Sequence, residues 1–266
     1  MIAVNIKTSR NDSDLVKRMN WFLSQPGINW NILSSISSYS QEPLLNITRK
    51  GVILQTGKEK LSFHPSMALL RIINLIRGKQ DRFLMATGLG PGDRICDATL
   101  GLATDALIAA VAVGEHGMVT GIENSPILAA LVEDGLKYMA EGFPPSLDNP
   151  DKTEAWAKLM NASARVEVNW SDHLSFLKNL PDKSYDVVYF DPMFRRTRED
   201  SASIRPLHSL SNPSALTLEA VEHACRVAKK RVVLKERKGS NEFTRLGFYI
   251  APEGKYSEVD YGIRVI

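Results

Sequence analysis

The stretch RICDATLGLATDALIAAVAVGEHGMVTGIE, Arg94–Glu123, decides the fold. It opens on a short apolar strand, Arg94–Ala98, that reaches a carboxylate at Asp97. A loop of small residues around Gly101 follows, then an alanine-rich helix over Ala103–Val113. Gly117–Ile122 is a second apolar strand, and it delivers Glu123. A strand, a helix and a strand this close together form a βαβ unit, whose strands run parallel and whose crossover is right-handed.

The same rhythm continues downstream. Pro126–Ala140 reads as a helix with Ser125 as its cap and Pro126 in its first turn. Residues 141–163, with Pro144, Pro145 and Pro150, read as an inserted loop. Arg165–Asn169 is a third strand and His173–Leu180 a short helix. Tyr185–Phe190 is a fourth strand, strongly apolar, ending at Asp191. Leu216–Ala228 is a helix and Arg231–Lys235 a fifth strand, and Phe248–Ile266 gives two more strands around Pro252–Gly254. The expected fold class is α/β: a doubly wound, mostly parallel seven-stranded Rossmann-like sheet covered on both faces, with the closing hairpin as an antiparallel edge.

Working back from Arg94, the loop Gly88–Gly92 marks a domain border, which divides the chain into 1–88 and 89–266. The first part reads as a small α+β appendage. It holds a strand at Met1–Ile6, a helix from Asp12 or Ser13 to about Leu23, a hairpin of Leu44–Thr48 and Gly51–Gln55, and a helix from Pro65 to about Arg77.

Composition narrows the class further. The 266 residues are 44% apolar and 24% charged, the balance of a folded globular protein rather than a disordered one. The longest apolar run, Ala106–Val113, is far short of the roughly 20 residues a membrane span needs. The N-terminus turns polar too early for a signal peptide, and Cys96 and Cys225 match no metal or redox spacing. The expectation is a cytoplasmic protein with no metal site.

In a doubly wound sheet the ligand lies beyond the carboxyl ends of the strands. The first strand delivers Asp97, Thr99, Gly101, Thr104 and Asp105, the second Glu123 and Asn124, the third Ser171 and Asp172, and the fourth Asp191, Pro192 and Phe194. The first loop lacks the GxGxxG that a pyrophosphate wants, and its carboxylates repel phosphate but suit an ammonium or sulfonium. That favours S-adenosyl-L-methionine over a dinucleotide. Glu123 stands where a carboxylate accepts hydrogen bonds from ribose hydroxyls, and Ser171-Asp172 can reach an adenine amino group.

Asp191-Pro-Met-Phe194 is the most specific element. A carboxylate and a nearby backbone carbonyl can accept both N–H bonds of a nucleobase amine, while Phe194 stacks on the base. Between residues 195 and 238 eleven Lys and Arg face five acids, a net +6 against +3 for the chain, the sign expected of a surface that tracks phosphates.

Taken together, Asp97-Ala-Thr-Leu-Gly-Leu-Ala-Thr-Asp105, Glu123, Pro126–Leu136, Val188–Phe194 and Ala228–Lys235 resemble the RsmJ-type (YhiQ-like) 16S ribosomal RNA methyltransferases over about residues 94–238. The resemblance implies a class I methyltransferase fold, S-adenosyl-L-methionine as cofactor, and transfer to the exocyclic N2 amine of a guanine in small-subunit ribosomal RNA. It also implies that Thr104-Asp105, Glu123-Asn124, Ser171-Asp172 and Asp191 line the cofactor site. The chain departs from the family's usual residues at Ala103, Thr104, Asn124, Phe63–Leu70 and Arg195-Arg196. The readings weighed against it are a DNA or small-molecule amino-methyltransferase and a non-catalytic RNA-binding module on the same fold. RNA, reached through the basic segment after Asp191, is the expected partner; no membrane is involved, and a homodimer is one option among oligomeric states.

Overall fold

The computed structural model describes residues 2–8, 12–33, 43–142, 149–192, 215–251 and 257–266. The N-terminal part is a mixed five-stranded sheet. Strand β1 (Ile2–Lys7) is followed by helix α1 (Ser13–Leu23), β2 (Ile28–Ile32), β3 (Leu44–Thr48), β4 (Gly51–Thr56) and β5 (Glu59–Leu61). The strand order is β2-β1-β3-β4-β5, parallel across β2-β1-β3 and antiparallel from β3 to β5. Of Asp12 and Ser13, it is Asp12 that caps α1, with Oδ1 accepting from the Asp14 and Leu15 amides. Strands β2 and β5 lie outside the sequence reading: β2 is interrupted by two asparagines, and β5 has only three residues.

Helices α2 (Ser66–Ile76) and α3 (Arg82–Thr87) come next. They stand on the N-terminal side of the Gly88–Gly92 loop, yet they pack against the large sheet and its helices. That sheet comprises β6 (Arg94–Asp97), α4 (Thr104–Val113), β7 (Met118–Glu123), α5 (Pro126–Glu141), α6 (Pro150–Ser163), β8 (Val166–Trp170), α7 (His173–Lys178), β9 (Tyr185–Phe190), α8 (Leu218–Val227), β10 (Ala228–Arg237), α9 (Glu242–Arg245), β11 (Tyr249–Ile250) and β12 (Val259–Val265). Its order is β11-β12-β10-β9-β6-β7-β8, parallel from β10 to β8. This is a doubly wound, mostly parallel seven-stranded α/β sheet, as the alternation of strands and helices requires.

The strands are buried on both faces, so they read as continuous apolar runs rather than alternating ones. In β9, Val187 and Tyr189 face one hydrophobic cluster and Val188 and Phe190 the other. Helix α4 is buried nearly all round because it packs on β7 beneath α2 and α6, which explains its Ala-rich, unstriped sequence. Arg18 of α1 grips Asp134 of α5 with two short bonds, 2.6 and 2.5 Å, and lies 4.4 Å from the Tyr138 ring centre. This joins the small sheet to the large one. Among the described residues no helix is long and apolar enough to cross a membrane.

Two expectations are corrected. The stretch 141–163 is not wholly a loop: Pro150–Ser163 is α6, with Asn149 accepting from the Lys152 amide and Pro150 in the first turn, where a missing N–H costs nothing. The antiparallel strand is not at the edge either. β12 inserts between β10 and β11 because it pairs with β10 over seven residues, while β11 offers only two.

Candidate active site

Strand β6 pairs with β7 on one side and β9 on the other, so the chain reverses its winding direction at β6. A crevice opens at such a switch point. A cavity of about 1010 Å³ lies there, lined by Asp97, Thr99, Gly101, Thr104, Asp105, Glu123, Asn124, Ser171, Asp191 and Pro192. The strand-end residues named from the sequence thus meet in one place, with two exceptions. Asp172 is not in the lining; its Oδ1 caps α7 by accepting from the Ser175 amide at 2.9 Å. Phe194 lies outside the described residues, as do Met193 and Arg195, Arg196, Arg198 and Arg205.

The loop after β6 turns through left-handed backbone at both Gly101 (φ 52°) and Ala103 (φ 60°). The Gly101 amide donates to Glu123 Oε2 at 3.1 Å, and the Ser125 amide donates to Oε1 at 2.9 Å. Each oxygen keeps a further lone pair for a ligand. Burial pushes the Glu123 carboxyl up, against the pull of these amides. Ser125 occupies the cap position of α5, but its side chain makes no capping bond.

Asp97 is 2% exposed and accepts from the Thr99 amide at 3.2 Å. Among the described residues no cation pairs with it, and burial, then the neighbouring Asp105, push its carboxyl well up. Asp105 is the opposite case. Arg71 Nη1 donates to its Oδ1 at 2.5 Å, while the Tyr189 hydroxyl at 2.7 Å and Lys235 Nζ at 3.2 Å donate to Oδ2. Burial alone would raise it, but Lys235 and Arg71 overcome that and hold it down to about 2.

Lys235 Nζ also donates to Asp191 Oδ2 at 2.7 Å, and the Asp191 amide donates to Thr99 Oγ1 at 2.5 Å. Burial pushes the Asp191 carboxyl up; Lys235 pulls it down less strongly, and Asp105 adds to the rise. The Asp191 side chain remains 29% exposed, so its carboxylate is open to the cavity.

Arg71 and Lys235 belong to the site without having been read as site residues. Lys235 was counted in a basic surface, yet it is buried between two carboxylates. Its place after an apolar run carried the signal: it follows Val232-Val233-Leu234 within β10, as Asp191 follows its own apolar strand. Other cations of that segment also have partners within the chain. Arg226 pairs with Asp182, Lys229 with Asp186 and Lys230 with Asp93, while Arg231 donates to the Ala86 carbonyl.

The lining suits one kind of ligand. Glu123 and Asp97 offer acceptors to hydroxyls and to a cation, and Leu100, Leu102, Ile122 and Leu128 give apolar surface for a ring. The model for the SAM-dependent methyltransferase family matches residues 55–256, three quarters of the chain. The chain belongs to this family. The methyltransferase is 34% identical to the uncharacterized protein YpiP of Bacillus subtilis, over 99% of this chain and 98% of that one. It is 30% identical to ribosomal RNA small subunit methyltransferase J of Pseudoalteromonas atlantica, over 69% of this chain and 68% of that one, which makes it a distant RsmJ-like member. In fold, the methyltransferase matches a SAM-dependent methyltransferase from Neisseria gonorrhoeae with a TM-score of 0.61 at 18% identity, over 99% and 95% of the two chains.

The cofactor is therefore S-adenosylmethionine, and the donor set fits it. When bound, it supplies an electrophilic methyl group on a sulfonium.

Proposed function

We propose that this methyltransferase modifies the exocyclic amine of a nucleobase in RNA, with the N2 amine of a guanine in small-subunit ribosomal RNA as the target. The observation that carries this reading is Asp191: a strand-end carboxylate, followed by Pro192, that opens into the same cavity as Asp97 and Glu123. The name of the Pseudoalteromonas relative supports the choice of ribosomal RNA.

In this reading Glu123 accepts from the ribose hydroxyls, Asp97 faces the cationic methionyl end and Ser171 faces the adenine. Asn124, Thr99, Gly101 and Thr104 complete that wall. Asp105 is saturated by Arg71, Lys235 and Tyr189 and acts through them rather than on the cofactor. Asp191 accepts an N–H of the target amine and turns the nitrogen lone pair toward the methyl carbon. S-adenosylmethionine would supply the methyl group to that nitrogen, with the carbon–sulfur electron pair staying on sulfur and the amine's extra proton leaving to water. Asp191 needs no unusual basicity for this, because positioning supplies most of the rate.

Mass mapping of ribosomal RNA from cells with and without this protein tests the reading. One methylated guanine disappears from the small-subunit RNA of the deletion strain, returns with the wild-type gene and stays absent with Asp191→Ala. Identical maps refute the assignment.

A further inference from the structure

We propose that Lys235 is a positioning residue for the transfer reaction: it fixes the orientation and charge of Asp191, and Asp105 and Arg71 hold it in place. This rests on the reading of Asp191 given above, which makes that carboxylate the group that orients the amine.

The geometry carries the proposal. Strands β9 and β10 run parallel with Leu234 opposite Phe190, so Asp191, just past the end of β9, lies beside Lys235, which is still within β10 and pairs with Tyr261 of β12. Lys235 Nζ lies 2.7 Å from Asp191 Oδ2 and 3.2 Å from Asp105 Oδ2, and only 22% of its side chain is exposed. It therefore bridges two carboxylates instead of reaching solvent. Asp105 is itself clamped by Arg71 from α2 and by Tyr189 from β9. Arg71 is held by Asp81, with Nε to Oδ2 at 2.7 Å and Nη2 to Oδ1 at 2.9 Å. A chain of charges thus runs from the Asp81 cap of α3 to Asp191. With Oδ2 held by Lys235, Oδ1 is the oxygen left for an amine.

The groups around Asp191 make the cation necessary. Asp105 comes from α4 and is held negative, while Asp97 comes from β6 with its carboxyl pushed up; Tyr189 of β9 and Tyr261 of β12 are neutral, and both phenols are pushed up by burial and by Asp105. Among the described residues Arg71 is the other cation near Asp191, and its own bonds go to Asp81 and Asp105. Among the described residues, Asp191 without Lys235 would face two acidic side chains with no cation in contact. An opposite charge at contact lowers a carboxyl by about one to three units, so its loss moves Asp191 upward by about one unit or more.

The test compares Lys235→Met with Lys235→Arg in the full chain. The Asp191 side-chain carboxyl, assigned in carbon-13 spectra against Asp191→Asn, titrates about one unit or more higher in Lys235→Met and returns near wild type in Lys235→Arg. In single-turnover transfer to small-subunit ribosomal RNA from the deletion strain, Lys235→Met loses about tenfold or more in rate at neutral pH. Its acid limb moves to higher pH, while the Kd for S-adenosylmethionine stays within about threefold; Lys235→Arg restores the rate. An unmoved carboxyl titration, or a full rate in Lys235→Met, overturns the proposal. If the wild-type chain transfers nothing to RNA, the substrate assignment fails, and the carboxyl titration still decides the role of Lys235.

Discussion

Replacing Arg71 by Met separates the electrostatics of this site from its packing. The Arg71 side chain is 20% exposed and makes three bonds: two to Asp81, and one to Asp105 at 2.5 Å. It also lies 5.5 Å from the Phe83 ring centre, a contact Met can replace in part. Removing one partner of a buried pair costs about 3–5 kcal/mol; the partial exposure of Arg71, and the bonds Asp105 keeps to Lys235 and Tyr189, put this case near the lower end. At about 2–4 °C per kcal/mol for a chain of this size, Tm falls by about 6–12 °C at neutral pH.

The pH dependence is the sharper test. Asp105 sits at about 2 in the folded protein, below its ordinary 3.8. A depressed carboxyl contributes stability that is complete above its unfolded pKa and is lost as pH falls toward the folded one. Arg71 supplies part of that depression, so the gap between wild type and variant stays constant from about pH 7 to 5 and narrows below about pH 4. Urea unfolding across that range measures it. A Tm change under about 2 °C, or a gap of the same size at every pH, would falsify the account of Arg71.

Three further outcomes follow from the loop and the strands around it. Ala103→Gly removes a Cβ from left-handed backbone at φ 60° and raises stability by about 0.5–1 kcal/mol, read as a higher Tm by calorimetry; a lower Tm contradicts the strain. Gly121→Ala places a Cβ 2.5 Å from Leu100 Cδ1 and destabilises by about 1–3 kcal/mol. Because Leu100 lines the cavity, calorimetric affinity for S-adenosylmethionine falls in the same variant, and unchanged affinity would show that the loop does not touch the cofactor. Glu123→Gln weakens S-adenosylmethionine about tenfold at neutral pH, and that difference shrinks on acidification, because a carboxyl raised by burial is the first to take up a proton; equal Kd values would remove Glu123 from the ribose.

Where residues alone announced this site, they did so through one repeated pattern. A buried parallel strand is apolar along its whole length, so a carboxylate just past it stands out, and Asp97, Glu123 and Asp191 were all legible for that reason. Lys235 obeys the same pattern but was hidden by the lysines and arginines around it. Arg71 was invisible in principle: its role depends on α2 packing against α4, and no spacing in the sequence records which helix lies over which. Helix α6 was obscured by neighbouring prolines and by a buried face made of Ala155, Leu159, Ala162 and Ser163, which gives little apolar contrast. Asp172 was the reverse case, since a capping residue and a ligand-facing one look alike at a strand end.

The insertion of β12 between β10 and β11 has a consequence for synthesis. A chain that emerges from the ribosome in order completes β10 some twenty residues before β12 exists, and until then one edge of β10 has no partner. The same strand brings Asp260, which receives Arg82 of α3 at 3.1 Å, and Tyr261, which lines the cavity. The sheet and the cavity wall are therefore finished in a single late event. Lesions in Val259–Val265 should leave not a weakened enzyme but a nascent chain with an exposed strand edge, the kind of surface that recruits other chains and chaperones.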